Sequence, residues 1–265
     1  MPSAKLSVVS ALLAAALLSG CSIKKIDVTA GMTPEQIHAM AREEIANLQY
    51  TKGIELLEKL EGRAAGTPLA QQAQLDKAHA HYKNEEAAQA IATLDRFMRL
   101  HPASPAIDYA LYLKGIVNFN DNKGLFSSIT RQDLSERDQQ AAKESFTAFK
   151  ELVTRFPGSR YTPDASARMT YIVNSLAQYE VHVARYYFSR GAYVAAIGRA
   201  QQAIADYREA PALEEALYIL VQSYDALQLT PLRDDARRVL QANYPGSAFL
   251  SGKDTLRRSP WWKLW

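Results

Sequence analysis

Histidines and acidic pairs are the side chains of this sequence that could catalyse a reaction or bind a metal ion, and their spacing favours neither. The five histidines are His38, His79, His81, His101 and His182. His79 and His81 lie two positions apart, so on a helix they point in different directions. No His-Glu-x-x-His zinc pattern, nucleophile elbow or phosphate-binding loop occurs in the sequence. The acidic pairs are Glu43-Glu44, Glu85-Glu86 and Glu214-Glu215, on helix faces that the pattern predicts to be exposed. We therefore expect no catalytic site, no metal ion and no cofactor.

The single cysteine, Cys21, has the clearest predicted chemistry. It follows Lys5, an apolar run over residues 6–18 and the small residues Ser19 and Gly20. The run is too short to span a membrane and is typical of a signal peptide. The tetrapeptide 18–21 (LSGC) resembles the bacterial lipobox, in which the cysteine is diacylated and becomes the first residue of the mature protein. We predict a lipoprotein signal peptide at 1–20, lipidation of Cys21, and a tether at 21–32 that attaches the protein to a lipid bilayer.

The residue after Cys21 predicts the destination membrane. An aspartate at that position would resemble an inner-membrane retention signal, and this chain has Ser22 instead. We therefore expect the protein at the periplasmic face of the cell outer membrane, held by about 0.8 kcal/mol for each buried CH₂ group of its acyl chains.

Composition predicts an all-helical protein. The chain has 265 residues, and 48% of them are hydrophobic. Strand-like alternation of Val, Ile and Thr is missing, whereas Ala and Leu are plentiful. The formal net charge is only +3, with opposite charges interspersed, so the sequence does not predict nucleic-acid binding.

A repeated stop signal organises the chain. The tetrapeptide at 156–159 (FPGS) recurs at 244–247 as YPGS. Proline ends a helix because it lacks an N–H and disfavours α geometry in the residue before it. From Pro211 to Pro245 is 34 residues, which is the period of a tetratricopeptide repeat. The intervals from Pro102 to Pro157 and from Pro157 to Pro211 are 55 and 54 residues, so two repeats carry extra residues.

Apolar residues at spacings of three and four predict five helix pairs between these stops. The pairs are 34–48 with 52–61, 68–83 with 85–100, 105–119 with 137–155, 163–190 with 192–208, and 211–227 with 231–243. Threonine or serine before proline marks several helix starts, and Thr33 with Gln36 fits a capping box. Stacked pairs of this kind give a curved TPR-like α-solenoid. The extra residues fall in a loop at 120–136 and in a long helix at 163–190.

At this point the sequence resembles one known family, that of BamD (ComL), the tetratricopeptide lipoprotein of the outer-membrane β-barrel assembly machine. The resemblance runs nearly end to end. Its most specific segments are 71–76 (QQAQLD), 95–102 (DRFMRLHP), 107–109 (IDY), 181–187 (VHVARYY) and 190–195 (RGAYVA). It implies an N-terminal half at 33–103 that recognises unfolded β-barrel proteins. It further implies a C-terminal half at 104–250 that docks onto a POTRA domain of the barrel subunit BamA, beside the other Bam lipoproteins.

The predicted substrate residues lie in the first half. Arg63 matches a family position, but the aromatic residues that usually follow it are absent. Tyr82 and Phe97 are candidates for a groove that holds an extended peptide ending in an aromatic residue, together with Tyr109 and Tyr112; plain core packing is the alternative. Arg96 and Arg99 are candidates to bind the carboxylate of such a peptide, because arginine pairs with carboxylates in a bidentate manner; a solvated surface position is the alternative.

The predicted docking residues lie in the second half. Arg199 matches a family arginine implicated in docking, although Gly198 replaces the usual asparagine. Arg185 and Arg190 flank the same helix pair. In the long loop, Leu125 and Phe126 are apolar residues in polar surroundings, and either contact a partner or pack back onto the solenoid.

The last segment, 251–265, is a basic tail with Trp261, Trp262 and Trp265. Tryptophan with Lys and Arg favours a membrane interface or a protein interface, and a mobile tail is the third alternative. Two other functions stay open: a pilotin-like lipoprotein for secretin assembly, and a periplasmic glycan-cleaving enzyme, which would need a catalytic domain for which the chain has no room.

Overall fold

The computed structural model describes residues 27–119 and 139–251, and in these two ranges all regular secondary structure is helical. In chain order the helices are α1 Pro34–Ala46, α2 Tyr50–Arg63, α3 Pro68–Lys83, α4 Ala87–Leu100, α5 Ile107–Asn118, α6 Gln139–Arg155, α7 Thr162–Ser189, α8 Tyr193–Asp206, α9 Leu213–Ala226 and α10 Thr230–Asn243. A short 3₁₀ helix, Ala248–Ser251, follows. The predicted all-α fold of five helix pairs is confirmed, and the predicted helix ends agree with the structure to within two residues.

Helix starts follow the predicted capping chemistry only in the first two repeats. Thr33 accepts a hydrogen bond from the Gln36 amide while the Gln36 side chain accepts one from the Thr33 amide, which completes the predicted capping box. Thr67 caps α3 in the same way, through the Ala70 amide. The prediction is wrong for Thr162 and Thr230, which are the first residues of their helices. Thr162 instead donates to the carbonyl of Phe156, so its hydroxyl ties the turn to the preceding helix.

The repeated stop has one backbone conformation. His101, Tyr207 and Tyr244 end α4, α8 and α10 with φ between −130° and −133° and ψ between 56° and 63°. Each of their amides still donates to a carbonyl of the last helical turn. The two helices of a hairpin are joined by a different turn, which places Leu48, Glu85, Gly191 and Gln228 in the left-handed region with φ between 57° and 74°. The repeat is therefore visible in the backbone as well as in the sequence.

Each helix packs on the next one along the chain, and α7 also packs on α9. Three groups of buried side chains result: one between α1, α2 and α3, one from α3 to α7, and one from α7 to α10. Tyr207 lies against both of the last two groups, so the core is continuous across the middle of the solenoid.

The two helices of the third hairpin approach each other closely at Gly115. The hydroxyl of Ser145 on α6 is buried and donates to the carbonyl of Gly115 on α5 at 2.8 Å. A Cβ atom at Gly115 would lie 2.3 Å from the ring of Phe149, which is itself fully buried. Glycine is therefore required here so that the two helices can touch.

Candidate interaction surfaces

A polar groove of about 560 Å³ lies between the first two repeats. Its walls come from the end of α2, the first half of α3 and the end of α4, and Arg96 stands at its edge. Inside it, the ammonium group of Lys77 is largely buried and lies 2.7 Å from Glu61. Gln74 Oε1 is also buried, and no hydrogen-bond donor in the described part of the chain reaches it. The groove therefore offers an acceptor without a donor, and its charged lining is two carboxylates, Glu58 and Glu61, and two cations, Lys77 and Arg96.

A second groove, of about 630 Å³, shares Gln71, Leu100 and His101 with the first. The predicted substrate residue Phe97 lines it but is fully buried, with its ring 5.3 Å from that of His101. Phe97 therefore forms the floor of the groove and offers no exposed ring. Leu100, which the sequence did not single out, is 54% exposed between the two grooves. The sequence does carry a signal for Leu100, because it is a leucine at the last position of a helix, directly before a His-Pro stop.

The other predicted substrate residues lie apart from these grooves. Tyr82 packs at the edge of the core, 6.4 Å from the ring of His79 and beneath the ammonium group of Lys83. Arg99 is exposed in the last turn of α4. Neither residue lines the two grooves that contain Arg96 and Phe97. The structure thus brings together only part of the predicted set.

Arg63 contacts the segment that precedes α1. Its guanidinium donates to the carbonyl of Thr29 at 2.7 Å, to the hydroxyl of Thr29 at 2.9 Å and to Asp27 at 2.9 Å. Lys59 donates to the other carboxylate oxygen of Asp27 at 2.7 Å. These hydrogen bonds from Lys59 and Thr29 hold the pKa of the Asp27 carboxyl well below its usual value. Asp27 was not a predicted site residue.

Tyr109 and Tyr112 pack against the turn before α7. The rings of Tyr112 and Tyr161 are stacked with centroids 4.6 Å apart, and Tyr112 donates its hydroxyl to Asp164 at 2.8 Å. Tyr109 lies 5.6 Å from Tyr161, and burial raises the pKa of Tyr109 to about 12. The packing alternative therefore describes both tyrosines.

The predicted docking arginines lie on and beside α7. Arg185 forms two hydrogen bonds with Glu215 on α9, of 2.5 and 2.6 Å, in a bidentate pair. Glu215 belongs to an acidic pair that the sequence predicted to be solvated, and here it bridges two helices. Arg190 follows α7 and stacks over the ring of Tyr186 at 5.3 Å.

Arg199 on α8 is held by a buried carboxylate. Its Nη1 donates to Glu180 at 3.0 Å, and the two side chains are 44% and 9% exposed. The hydrogen bond to Glu180 raises the pKa of Arg199 above its usual value. Glu180 was missed by the sequence reasoning, although it lies four residues after Leu176 and four before Ala184, both of which are buried. The sequence does carry a signal for Glu180, because it is a charged residue among apolar residues on the buried face of α7.

Two exposed apolar side chains lie near the turn between α7 and α8. Tyr186 is 53% exposed and Val194 is 74% exposed, at the end of α7 and the start of α8. Tyr186 also contacts the ring of Tyr187 edge to face. The carboxy-terminal half thus presents aromatic and aliphatic surface next to oriented guanidinium groups, a combination that is enriched at protein interfaces.

Several predicted site residues lie outside the described residues: Cys21, Leu125, Phe126, Trp261, Trp262 and Trp265. The predicted signal peptide and most of the tail lie there too. Among the helices of the two described ranges, none combines the length and the apolar character needed to cross a bilayer. The same ranges contain no group of three His, Cys, Asp or Glu side chains placed to hold a metal ion.

Comparison with known proteins identifies the family. A family model described as "YfiO: Outer membrane lipoprotein" matches residues 30–240. The protein named "Outer membrane protein assembly factor BamD" from Neisseria meningitidis serogroup B is 44% identical over 96% of this chain and 95% of its own length. Proteins of the same name from Vibrio cholerae serotype O1 and Xylella fastidiosa (strain Temecula1) are 34% and 35% identical, over 90% and 89% of this chain and 99% and 81% of their own. The repeat signature, the helical solenoid and these matches agree, and the chain belongs to the YfiO family of outer membrane lipoproteins, together with the BamD proteins.

Proposed function

We propose that this protein is a lipid-anchored, non-enzymatic scaffold for the assembly of outer membrane proteins. The observation that carries the proposal is the 44% identity, over nearly the whole of both chains, to a protein named as an outer membrane protein assembly factor. A solenoid of helix pairs supports it, because such folds present extended surfaces for binding other polypeptides. The lipid anchor is assigned to Cys21, and the protein then lies at the periplasmic face of the outer membrane.

The surface formed by α7, α8 and α9 is the proposed docking site for a POTRA domain of BamA. Arg199 donates a hydrogen bond to Glu180 from Nη1 only. Its guanidinium has five N–H donors in total. An acidic residue of the partner can bind the remaining donors of an arginine that is already oriented. Tyr186 and Val194 supply apolar contact area beside it. Leu125 and Phe126 of the long loop, and the three tryptophans of the tail, are proposed as further contacts with Bam lipoproteins or the bilayer.

The grooves between the first two repeats are the proposed site for unfolded β-barrel proteins. An extended peptide that ends in an aromatic residue presents a terminal carboxylate, backbone N–H groups and one large apolar side chain. In this site Arg96 binds the carboxylate, Gln74 Oε1 accepts a backbone N–H, and the aromatic side chain packs on Leu100 and the floor above Phe97. Arg99 and Tyr82 stay outside the pocket and contribute less.

The docking proposal is tested by measuring the affinity of the full chain for isolated POTRA domains of BamA. Arg199→Glu should weaken binding by roughly tenfold to a hundredfold, because like charges then meet at a desolvated contact. Arg238→Glu is the matched control, since Arg238 is an exposed arginine on α10 that pairs only locally with Asp235. Thermal unfolding of each variant separates lost affinity from lost fold. Equal affinities of Arg199→Glu and the wild type would contradict the assignment.

The substrate proposal is tested with a synthetic peptide that matches the last strand of an outer membrane β-barrel protein. Arg96→Gln should lower the affinity for the free-acid peptide and leave the affinity for its C-terminal amide unchanged, because only the carboxylate needs the cation. Arg99→Gln should have the smaller effect. If both peptides bind the variants and the wild type equally, the groove is not the substrate site.

A further inference from the structure

The segment before α1 is attached to α2 by a cluster that we call the strap clamp: Asp27, Thr29, Lys59 and Arg63. Thr29 is fully buried, and both its backbone amide and its hydroxyl donate to Asp27. Arg63 donates to the carbonyl and the hydroxyl of Thr29 and to Asp27. Hydrogen bonds that involve charged groups are roughly twice as strong as those between neutral groups. The clamp therefore fixes the chain at the point where it enters the first repeat.

The clamp also sets the direction in which the chain leaves the fold. Thr29 contacts Arg63, at the end of α2, whereas Asp27 contacts both Arg63 and Lys59, one helical turn earlier. Going backwards along the chain therefore means moving towards the start of α2. If the chain before Asp27 stays against α2, it runs from Lys59 towards the start of that helix.

A groove of about 800 Å³ lies on that course, and we call it the tether groove. Its lining residues are Asp27, Val28, Met40, Glu44, Lys52, Glu55, Leu56, Glu58 and Lys59. The apolar side chains of Met40, Leu56 and Val28 contribute to its floor and rim, and Val28 is 62% exposed. Four carboxylates against two ammonium groups give the lining a net negative charge.

The residues that precede Asp27 have the complementary character. Residues 22–26 read SIKKI, with two lysines between two isoleucines. Seven residues of helix, from Lys59 back to Lys52, cover about 10 Å, and three extended residues cover the same distance. Ile23 and Lys24 would then lie near Lys52 and Glu44, Lys25 beside Glu55, and Ile26 beside the apolar part of the groove.

We infer that residues 22–26 are seated in the tether groove, so that the acyl chains on Cys21 leave the protein beside the start of α2. This inference rests on the lipid anchor proposed above. Cys21 lies six positions before the clamped Asp27, a distance of at most about 20 Å along an extended chain. The first helix hairpin is therefore held against the bilayer in one orientation, and the solenoid projects from it as a fixed arm.

The register of the seat is tested by disulfide cross-linking of the full, membrane-inserted chain. Ile23→Cys combined with Lys52→Cys should form a disulfide on mild oxidation with copper phenanthroline. The matched control combines Ile23→Cys with Arg42→Cys, because Arg42 is exposed on α1 midway between the groove residues Met40 and Glu44 and so points away. We expect roughly tenfold more disulfide in the test pair, since two cysteines can be joined only when their Cα atoms lie within about 7 Å. Equal yields in the two pairs would overturn the inference.

Two further variants in the cross-linking background test the cause of the seating. Arg63→Gln should lower the yield several-fold by releasing the clamp, and Glu55→Lys should lower it by opposing Lys24 and Lys25. Yields that stay at the level of the parent pair in both variants would overturn the proposed mechanism of seating. Circular dichroism of each variant shows whether the helices are intact.

Mass spectrometry of the amino-terminal peptide keeps this test distinct from that of the lipid anchor. An acylated Cys21 with no specific disulfide contradicts the seat and leaves the anchor standing. A specific disulfide in a chain whose Cys21 carries no acyl group, repeated with Cys21→Ser to exclude its thiol, supports the seat and contradicts the anchor.

Discussion

The two ends of the solenoid hold their arginines in different ways. In the first hairpin, Arg63 binds the backbone of Thr29 and an exposed carboxylate, that of Asp27. In the later repeats, Arg199 and Arg185 bind carboxylates that lie between helices and are only 9% and 20% exposed. Water can replace a partner in the first arrangement and cannot easily do so in the second. The amino-terminal contacts therefore attach a segment to a finished fold, whereas the carboxy-terminal pairs are part of the packing itself.

The same difference appears in the space between helices. The three grooves around the first two repeats have volumes of about 800, 630 and 560 Å³. A smaller groove of about 380 Å³ lies farther along, between α6, α7 and the turn before α9. The two grooves that contain Arg96 and Phe97 combine polar and apolar lining, which suits a varied set of extended peptides, and a surface of oriented charges suits one folded partner. This division is consistent with proposing unlike binding partners for the two halves.

The largest test of the comparison removes one arginine from each end. Arg199→Ala leaves Glu180 buried and without its cation, which should cost about 2–3 kcal/mol of unfolding free energy, less than the roughly 3–5 kcal/mol of a fully buried pair because Arg199 is partly exposed. Arg63→Ala should cost less, since Asp27 is open to water. Urea unfolding measured by circular dichroism gives both values.

A double variant checks the cause of the loss at Arg199. Glu180→Gln removes the buried charge with little change of shape, so Arg199→Ala with Glu180→Gln should recover part of the stability. If Arg63→Ala destabilises the protein as much as Arg199→Ala does, the distinction between the two ends is wrong.

The second test uses two glycines, one in each half. At Gly115 a new Cβ atom would meet the buried ring of Phe149 at 2.3 Å, and a packed ring cannot move aside. At Gly53 it would meet Cγ1 of Ile45 at 2.5 Å, on a partly buried side chain, and the backbone carbonyl of Ala41 at 3.3 Å. Gly115→Ala should destabilise by about 2 kcal/mol through overpacking. Gly53→Ala should destabilise less, because Ile45 is only partly buried and can shift, and the better helix propensity of alanine offsets part of that rearrangement.

Thermal unfolding of the two alanine variants measures this difference directly. Similar losses at both positions would mean that the first hairpin is packed as tightly as the third. A gain of stability at Gly115 would show that the helices can separate without cost.

The helix bounds could be predicted from the sequence because they depend on signals that act over a few neighbouring residues. Proline after an aromatic residue ends a helix both times it occurs, at Pro157 and Pro245, because the missing N–H and the steric restriction act within two residues. Apolar spacing likewise reports which helix face is buried, and the helix bounds follow from these two signals. The hydroxyl of Thr162 shows the limit, since its partner is the carbonyl of Phe156, directly after the previous helix, rather than an amide of its own helix.

The sites were less predictable because their residues meet across helices. Glu215 reads as a solvated acid until α9 packs on α7 and brings it to Arg185. Arg63 reads as a substrate residue by family resemblance, and its contacts with Thr29 depend on where the chain folds back before α1. Phe97 was predicted among groove residues and does line a groove, but the packing of α4 on α3 and α5 leaves none of its ring exposed. Pairings between distant residues carry no periodic signal in a single sequence.

The smallest expected effect concerns the strap clamp in acid. Hydrogen bonds from Lys59 and Thr29 lower the pKa of the Asp27 carboxyl below the ordinary value of 3.8. A carboxyl whose pKa is lowered by folding stabilises the folded state above its ordinary pKa, and this contribution is lost as the pH falls through the lowered value. The clamp should therefore persist through mildly acidic conditions and open only in strong acid.

The chemical shift of the Thr29 amide reports this titration, because that amide donates to Asp27 Oδ1 at 3.1 Å. We expect a midpoint below 3.8, and a rise towards 3.8 when Lys59→Gln removes the ammonium group that contributes most to the shift. Asp27→Asn is the control, and its Thr29 amide should show no transition. A midpoint at or above 3.8 in the wild type would mean that the carboxylate is free in solution. In that case the attachment of the first segment would depend on Thr29 and Arg63 alone, and the two ends of the solenoid would differ even more than the contacts indicate.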